Sequence, residues 1–481
     1  MELMGDADQP STFKCMLTVL HAIIAIGSLH QARSGLNSAL LLSHDYLALH
    51  RFAISQYNTA IEGLRLYIDE HGSNSDANVV LLTCLLFVGF ELLQANVPLA
   101  MNHLQNVLNI VVERFPRTLE DYTAHKQTPP ATTSDHLIDE LIPACARLDY
   151  GSTMFGKRYP LLDLVRDDNV LVRDAGVPAS FDTAVEARSY LELMASGVFR
   201  LRGDLVRLAE QACLQSDSAP TEFYQQQCYV KALSRSVALG CEENSIHIRK
   251  QALECGIAAV HEALEAPAVL FEDPVDRAAM AVEIECIQIW FLITTCRETH
   301  QVTSDNFDAL FAKAIDLAGK YIQSTAPTPG LQPKRAFSLE PGILPTVFLV
   351  AEKCRDPIIR RRAAALMREG CMQEAMWDGT PYATFANRLA EIEDSMAESM
   401  NESALRQTSA ASRSAGSPHH VSEKARFSDT VLVCDSSKLE DARLICARYR
   451  HGSEGEIEIT EHGVDLTGDE DYLHDIAYGW V

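Results

Sequence analysis

For nearly 400 residues, the apolar residues of this chain recur at the spacing of one helix face. Segments with the alternation of a half-buried strand are almost absent before residue 400. That pattern restricts the fold to helices packed on helices. From about 43 to 70, Ala53, Tyr57, Ala60, Ile61, Leu64 and Ile68 draw one stripe. Gly72 ends that helix, and Ser75 or Asp76 offers an N-cap for the next. The next helix, to about 95, is apolar nearly all round and is expected to sit centrally. A third starts after Asn96 and Pro98, with the stripe Ala100, Leu104, Val107, Leu108, Val111 and Phe115. Short turns between such helices make them antiparallel neighbours.

Breaks are expected at 116–134, around Pro129-Pro130, and at 159–180. Helices resume at about 182–214, 221–242, 244–266, 274–299 and 305–323. A loop rich in Pro and Gly spans 325–335, and a last helical block covers about 341–396. The expected fold is all-α, either a multi-helix bundle or an α-solenoid-like stack. The expected division has a short N-terminal tail (1–14), the all-α domain (15–396) and a Ser/Ala-rich linker (397–425). A segment that reads as a β-hairpin or as strand plus helix follows (426–453), and then an acidic, aromatic tail (454–481).

Two apolar runs, 15–29 and 79–93, are too short to span a bilayer. The first follows an acidic segment, so it fails as a signal peptide. Both are expected to be buried core helices of a soluble protein. A chain of 481 residues can bury a large core without disulfides or structural metal. Its 13 cysteines are scattered, with no C-x-x-C pair, which excludes zinc fingers and ribbons. They read as reduced thiols, mostly buried, of an intracellular protein.

Acidic residues number 66 against 41 basic ones, a net charge of −25. That balance argues against a broad grip on a phosphate backbone. There is no G-x-G-x-x-G, Walker lysine, H-E-x-x-H or G-x-S-x-G. None of the 16 histidines stands in a recognisable ligand spacing. Carboxylate pairs are numerous, but solvated helix faces supply them by default. No catalytic, cofactor-binding or metal-ligating residue is assigned, no cofactor is expected, and enzymatic activity is not expected.

One basic cluster holds Lys353, Arg355, Arg360, Arg361, Arg362 and Arg368. It reads either as a nucleic-acid or import patch or, with 66 carboxylates at hand, as internally paired arginines. The segment 454–481 holds nine acidic residues and no Lys or Arg, interleaved with Tyr472, Tyr478 and Trp480. It reads either as an activation segment or as a plain solvated tail.

Several blocks in order resemble the regulatory domain of fungal-specific transcription factors, of its second type. They are His21 to His30 (HAIIAIGSLH), Tyr57 to Ile61 (YNTAI), Leu85 to Glu91 (LLFVGFE) and the A-x-x-H-L of Ala100 to Leu104. Further on come Gly342-Ile343-Leu344-Pro345, Lys353 to Pro357, Arg360 to Ala363 and Trp377-Asp378-Gly379. The resemblance covers about 15–396. It implies an all-α domain without catalytic residues, in a nuclear regulator of fungal metabolic genes, including secondary-metabolite clusters. Relatives usually carry a basic six-cysteine binuclear zinc cluster before this domain. Here no zinc ligands can be assigned, since Cys15 has no neighbouring cysteines. DNA contact is therefore expected to be indirect, through protein partners such as the transcription machinery, a DNA-binding protein or a second copy in a homodimer. No membrane contact is expected. The other expectation is a cytoplasmic helical scaffold that binds a partner protein.

Overall fold

In the computed structural model, the described residues are 9–34, 44–72, 75–115, 136–155, 157, 159–162, 176–237, 243–266, 276–325, 336–370, 372–407, 421–435, 438–450 and 456–466. They hold thirteen α-helices and two small sheets. Expectations for the break at 116–134, most of the loop at 325–335, the centre of the linker and the aromatic end of the tail fall outside them.

The first layer is α1 (Gln9–Ser34), α2 (His44–His71), α3 (Ala77–Leu93) and α4 (Val97–Arg114). Helix α3 is apolar all round because it is packed on both sides. Val80, Phe87, Phe90 and Leu93 meet the α1–α2 hairpin, while Leu81, Leu85, Val88 and Leu92 face the main core. Each such side chain taken from water contributes about 1.5–3 kcal/mol. Asp76 caps α3 by accepting from Asn78 N, and Asn96 caps α4 by accepting from Leu99 N. Between them Ala95 takes φ +57°. The N–H groups of Ala95 and Asn96 return to the carbonyls of Leu92 and Glu91, closing α3 with a left-handed residue.

Helix α1 starts at Gln9, inside the expected tail, and it is only half a core helix. Ala22, Ala25 and Leu29 are buried, whereas Met16, Leu20 and Ile23 on the opposite side are 67%, 47% and 51% exposed. The run is apolar all round, but among the described residues only one neighbouring layer covers it.

Helix α5 (His136–Ser152) carries Pro143 inside it, which blurs its sequence signal. It leads by one 3-10 turn (Thr153–Phe155) toward α6 (Ala184–Cys213). Next come α7 (Phe223–Leu233), α8 (Glu243–Glu265), α9 (Arg277–Thr295) and α10 (Asp308–Thr325). Helix α9 is long and apolar enough to cross a membrane by length and composition alone. It is instead a core helix, packed against α6, α8, α10 and α11 (Leu344–Lys353). One helix surrounded by four is a bundle, not a solenoid, whose units touch only their neighbours.

The block expected to be helical at 341–396 is interrupted. After α11 and α12 (Pro357–Glu369), the chain forms β2 (Met372–Glu374) and β3 (Trp377–Asp378) before α13 (Gly379–Gln407). Strand β2 pairs parallel with β1 (Ala336–Ser338) and antiparallel with β3. Strands of two or three residues are too short to show an alternation. Gly379 permits this turn: a Cβ there would lie 2.2 Å from the Met367 carbonyl oxygen.

Helix α13 runs to Gln407, eleven residues past the expected end of the helical domain at 396. The expected linker and hairpin boundaries shift as well. Residues 423–425 form a 3-10 turn, and Arg426 is 2% exposed, bonded to Asp305 and to the Val421 carbonyl. Strands β4 (Asp429–Asp435), β5 (Lys438–Tyr449) and β6 (Ile457–Val464) then form an antiparallel meander. The third strand lies in what read as an acidic tail. Its carboxylates are partly cross-strand partners, Glu458 of Arg448 and Glu461 of Arg443. Ile457 and Ile459 pack toward α7.

Candidate functional site

The helical body and the C-terminal sheet meet around a cavity of about 190 Å³. Helix α6 brings Phe199, Arg202 and Val206 to it, three positions on one helix face. Helix α9 contributes Phe291 and Thr295, and α11 contributes Phe348, Glu352 and Lys353. The β2–β3 region and α13 add Trp377, Tyr382 and Phe385. Strand β4 closes the cavity with Asp429 to Leu432, and α7 and the turn after it flank it with Lys231 and Arg235.

The aromatic wall is tightly built. Phe348 lies 5.4 Å from Trp377 and 4.9 Å from Tyr382, the latter edge-on, and Phe155 meets Trp377 edge-on at 4.8 Å. The polar end is anchored by Arg235. Its Nε donates to Asp429 Oδ2 at 3.1 Å, and its Nη1 donates to the Thr295 carbonyl at 2.9 Å. Burial alone would raise the Asp429 carboxyl, but Arg235 and Lys353 beside it hold it below the usual carboxylate range. Lys353 Nζ donates to the Ser428 carbonyl at 2.7 Å, and Thr430 donates to Glu352 at 2.9 Å. The sheet is thus bonded into the body by buried charges.

Arg202 differs from these. No hydrogen bond or ion pair reaches its guanidinium among the described residues. Burial, and then the like charge of Arg235, press it below the usual arginine value. The ammonium of Lys231 and the hydroxyl of Tyr382 are likewise without a hydrogen-bond partner among the described residues, and Tyr382 is 7% exposed. The cavity thiol Cys296 is pushed up by burial and is not activated. Among the described residues, no group of three or more His, Cys, Asp or Glu could hold a metal ion.

The basic cluster is mostly spent inside the protein. Arg355 and Arg360 both bind Glu393, at 2.7 and 2.8 Å, with all three side chains buried. Arg362 pairs with Glu369, and Arg368 donates to Thr384. The nine cysteines whose side chains are described are free thiols; seven are buried, Cys84 is half-buried and Cys255 is exposed. No site residue was assigned from sequence. One signal pointed to Arg202: it interrupts the buried row Ala195, Val198, Leu205, Ala209 of α6.

Residues 6–148 match the sequence model described as the fungal-specific transcription factor domain. That span takes in α1–α4 and most of α5. The blocks at 342–379 and all the residues that line the cavity lie beyond it. The chain is also similar to the aspercryptin biosynthesis cluster-specific transcription regulator atnN of Emericella nidulans, with 28% identity over 193 residues. That match covers 40% of this chain and 29% of the relative, so the chain spans under a third of the curated protein it matches. No solved structure matches the chain. The helical first layer and these matches agree: residues 6–148, and those residues alone, are similar to the fungal-specific transcription factor domain.

Proposed function

We propose that the protein is a nuclear regulator of transcription acting on fungal metabolic genes, among them those of a secondary-metabolite cluster. The observation that carries this reading is the domain over residues 6–148, supported by the similarity to a cluster-specific regulator. The described region contacts DNA through a partner. Its net charge is −25 over the whole chain, and the arginines of the 353–368 cluster are largely bonded internally.

The partner contact is the outward face of the α1–α2 hairpin, and its occupant is a second copy. Met16, Leu20 and Ile23 of α1 are exposed there, and Phe52 and Leu66 of α2 are 47% and 53% exposed. Helices of 26 and 28 residues lie side by side. They present a face about 40 Å by 20 Å. That is about 800 Å², the share each partner gives to a standard interface. An isologous contact of this kind uses the same patch on both copies.

Chromatin immunoprecipitation of the protein, tagged at its own locus, tests the regulator reading. Enrichment at a defined set of promoters is the expected result. Flat occupancy under inducing conditions, with the protein present, would overturn it in favour of the cytoplasmic scaffold.

A further inference from the structure

The cavity at the body–sheet junction has an unmatched charge. Four cations line it, Arg202, Lys231, Arg235 and Lys353, against two carboxylates, Glu352 and Asp429. Both carboxylates are already engaged, Asp429 by Arg235 and Glu352 by Thr430 and Lys353. The Arg202 guanidinium and the Lys231 ammonium are left with no hydrogen bond or ion pair among the described residues. A guanidinium carries five N–H donors, and Arg202 is half-buried, so donors that face the cavity have only its water to bond until an acceptor enters. In a chain of net charge −25, a cation-rich cavity is not a default of composition.

The remaining wall is aromatic. Phe348, Trp377 and Tyr382 stand within 5.4 Å of one another, centroid to centroid, and the Tyr382 hydroxyl has no partner among the described residues. A cavity of about 150 Å³ accepts benzene. The cavity here, about 190 Å³, has room for one ring with a short acidic arm.

We propose that this cavity is a binding site for a small ring-bearing organic acid, with its carboxylate received by Arg202 and Lys231 and its ring set against Phe348, Trp377 and Tyr382. A guanidinium takes a carboxylate through paired N–H···O bonds, and the Tyr382 hydroxyl supplies a further donor. An inorganic anion would satisfy the cations but leave the aromatic wall unused. The site draws α6, α7, α9, α11, α13 and β4 together, so the ligand stabilises the junction of body and sheet. The proposal goes beyond the regulatory reading and stands without it.

The test uses the purified full chain, with calorimetric titration and thermal unfolding in the presence of benzoate, phenylacetate, benzamide and inorganic phosphate. The acids are expected to bind and to raise the unfolding midpoint, with benzamide and phosphate having little effect. Arg202→Gln is expected to weaken acid binding by about 10- to 100-fold while leaving the response to benzamide unchanged. Lys231→Gln, at the other unpaired cation, gives a smaller loss and serves if the first variant fails to fold. Equal binding of benzamide and benzoate, equal effects of phosphate and the acids, no binding of either acid, or acid affinity unchanged in the variants would each overturn the proposal.

Discussion

Two buried carboxylates show how a single residue holds this fold, and they titrate in opposite directions. Glu374 of β2 accepts from the N–H groups of Gly342 and Leu344, at 3.0 and 2.7 Å, at the start of α11. Gly342 leaves room for this contact, since a Cβ would lie 2.6 Å from the carboxylate and the carboxylate would have to shift. Burial pushes the Glu374 carboxyl up to about 7, against the pull of those N–H groups. A carboxyl raised above its unfolded value binds more protons in the folded state. Its contribution is therefore full below about 4.5 and is lost as pH rises through about 7. Glu374→Gln should flatten the stability profile between those limits by on the order of 3 kcal/mol. Urea unfolding at pH 5 and 7.5 checks it, and an unchanged slope would refute it. For Glu393, burial alone would raise the carboxyl, but Arg355 and Arg360 outweigh it and hold it low. Its contribution is present above the unfolded value and is lost as pH falls through the folded one. Glu393→Gln at pH 7 strands two buried arginines and should cost about 3–5 kcal/mol, read as a lower urea midpoint. The arginine-rich blocks were legible in sequence as paired or free only in the alternative. Their partner lies on α13, more than thirty residues away, and no local pattern names it.

At the scale of elements, periodicity located most of the long helices. It missed what depends on neighbours. The runs 15–29 of α1 and 79–93 of α3 are both mostly apolar, yet among the described residues α3 is covered on two sides and α1 on one. Burial is a property of the layer outside a helix, which its own sequence does not contain. The bare side of α1 therefore carries the prediction at this scale. Leu20→Glu with Ile23→Glu should convert a dimer to a monomer in light scattering after size exclusion, with helical circular dichroism unchanged. A monomeric parent protein, or a dimer that survives both charges, would sink the interface. Helix α5 and strands β1–β3 escaped notice for local reasons. Pro143 masks the first, and two- or three-residue strands have no measurable alternation.

For the whole molecule, the C-terminal sheet is part of the body and not an appendage. Cys228 and Ala232 of α7 are buried with Ile445 and Ala447 of β5. Arg235, Lys353 and Glu393 each bond to atoms between residues 427 and 429. Ending the chain at residue 420 should uncover that face and leave Arg235 without its carboxylate. We expect a clear fall in the thermal unfolding midpoint, or loss of soluble protein. A midpoint equal to that of the full chain would show the sheet to be dispensable. The cavity follows from this union, because body and sheet each supply part of its lining. Removing the sheet should abolish organic-acid binding in any truncated protein that still folds.

The sequence by itself determined the all-α class, the turns and caps around α2–α4, and the absence of familiar catalytic motifs. Each of those is written in residues a few positions apart, where helix period and capping chemistry act. Which helix faces are covered, which cations are paired and where a cavity remains were decided by tertiary structure. Those depend on groups brought together from distant parts of the chain. Arg202 shows the division. Its place in a buried row of α6 is visible in the sequence, but its lack of a partner appears only once α7, α9, α11 and β4 stand around it.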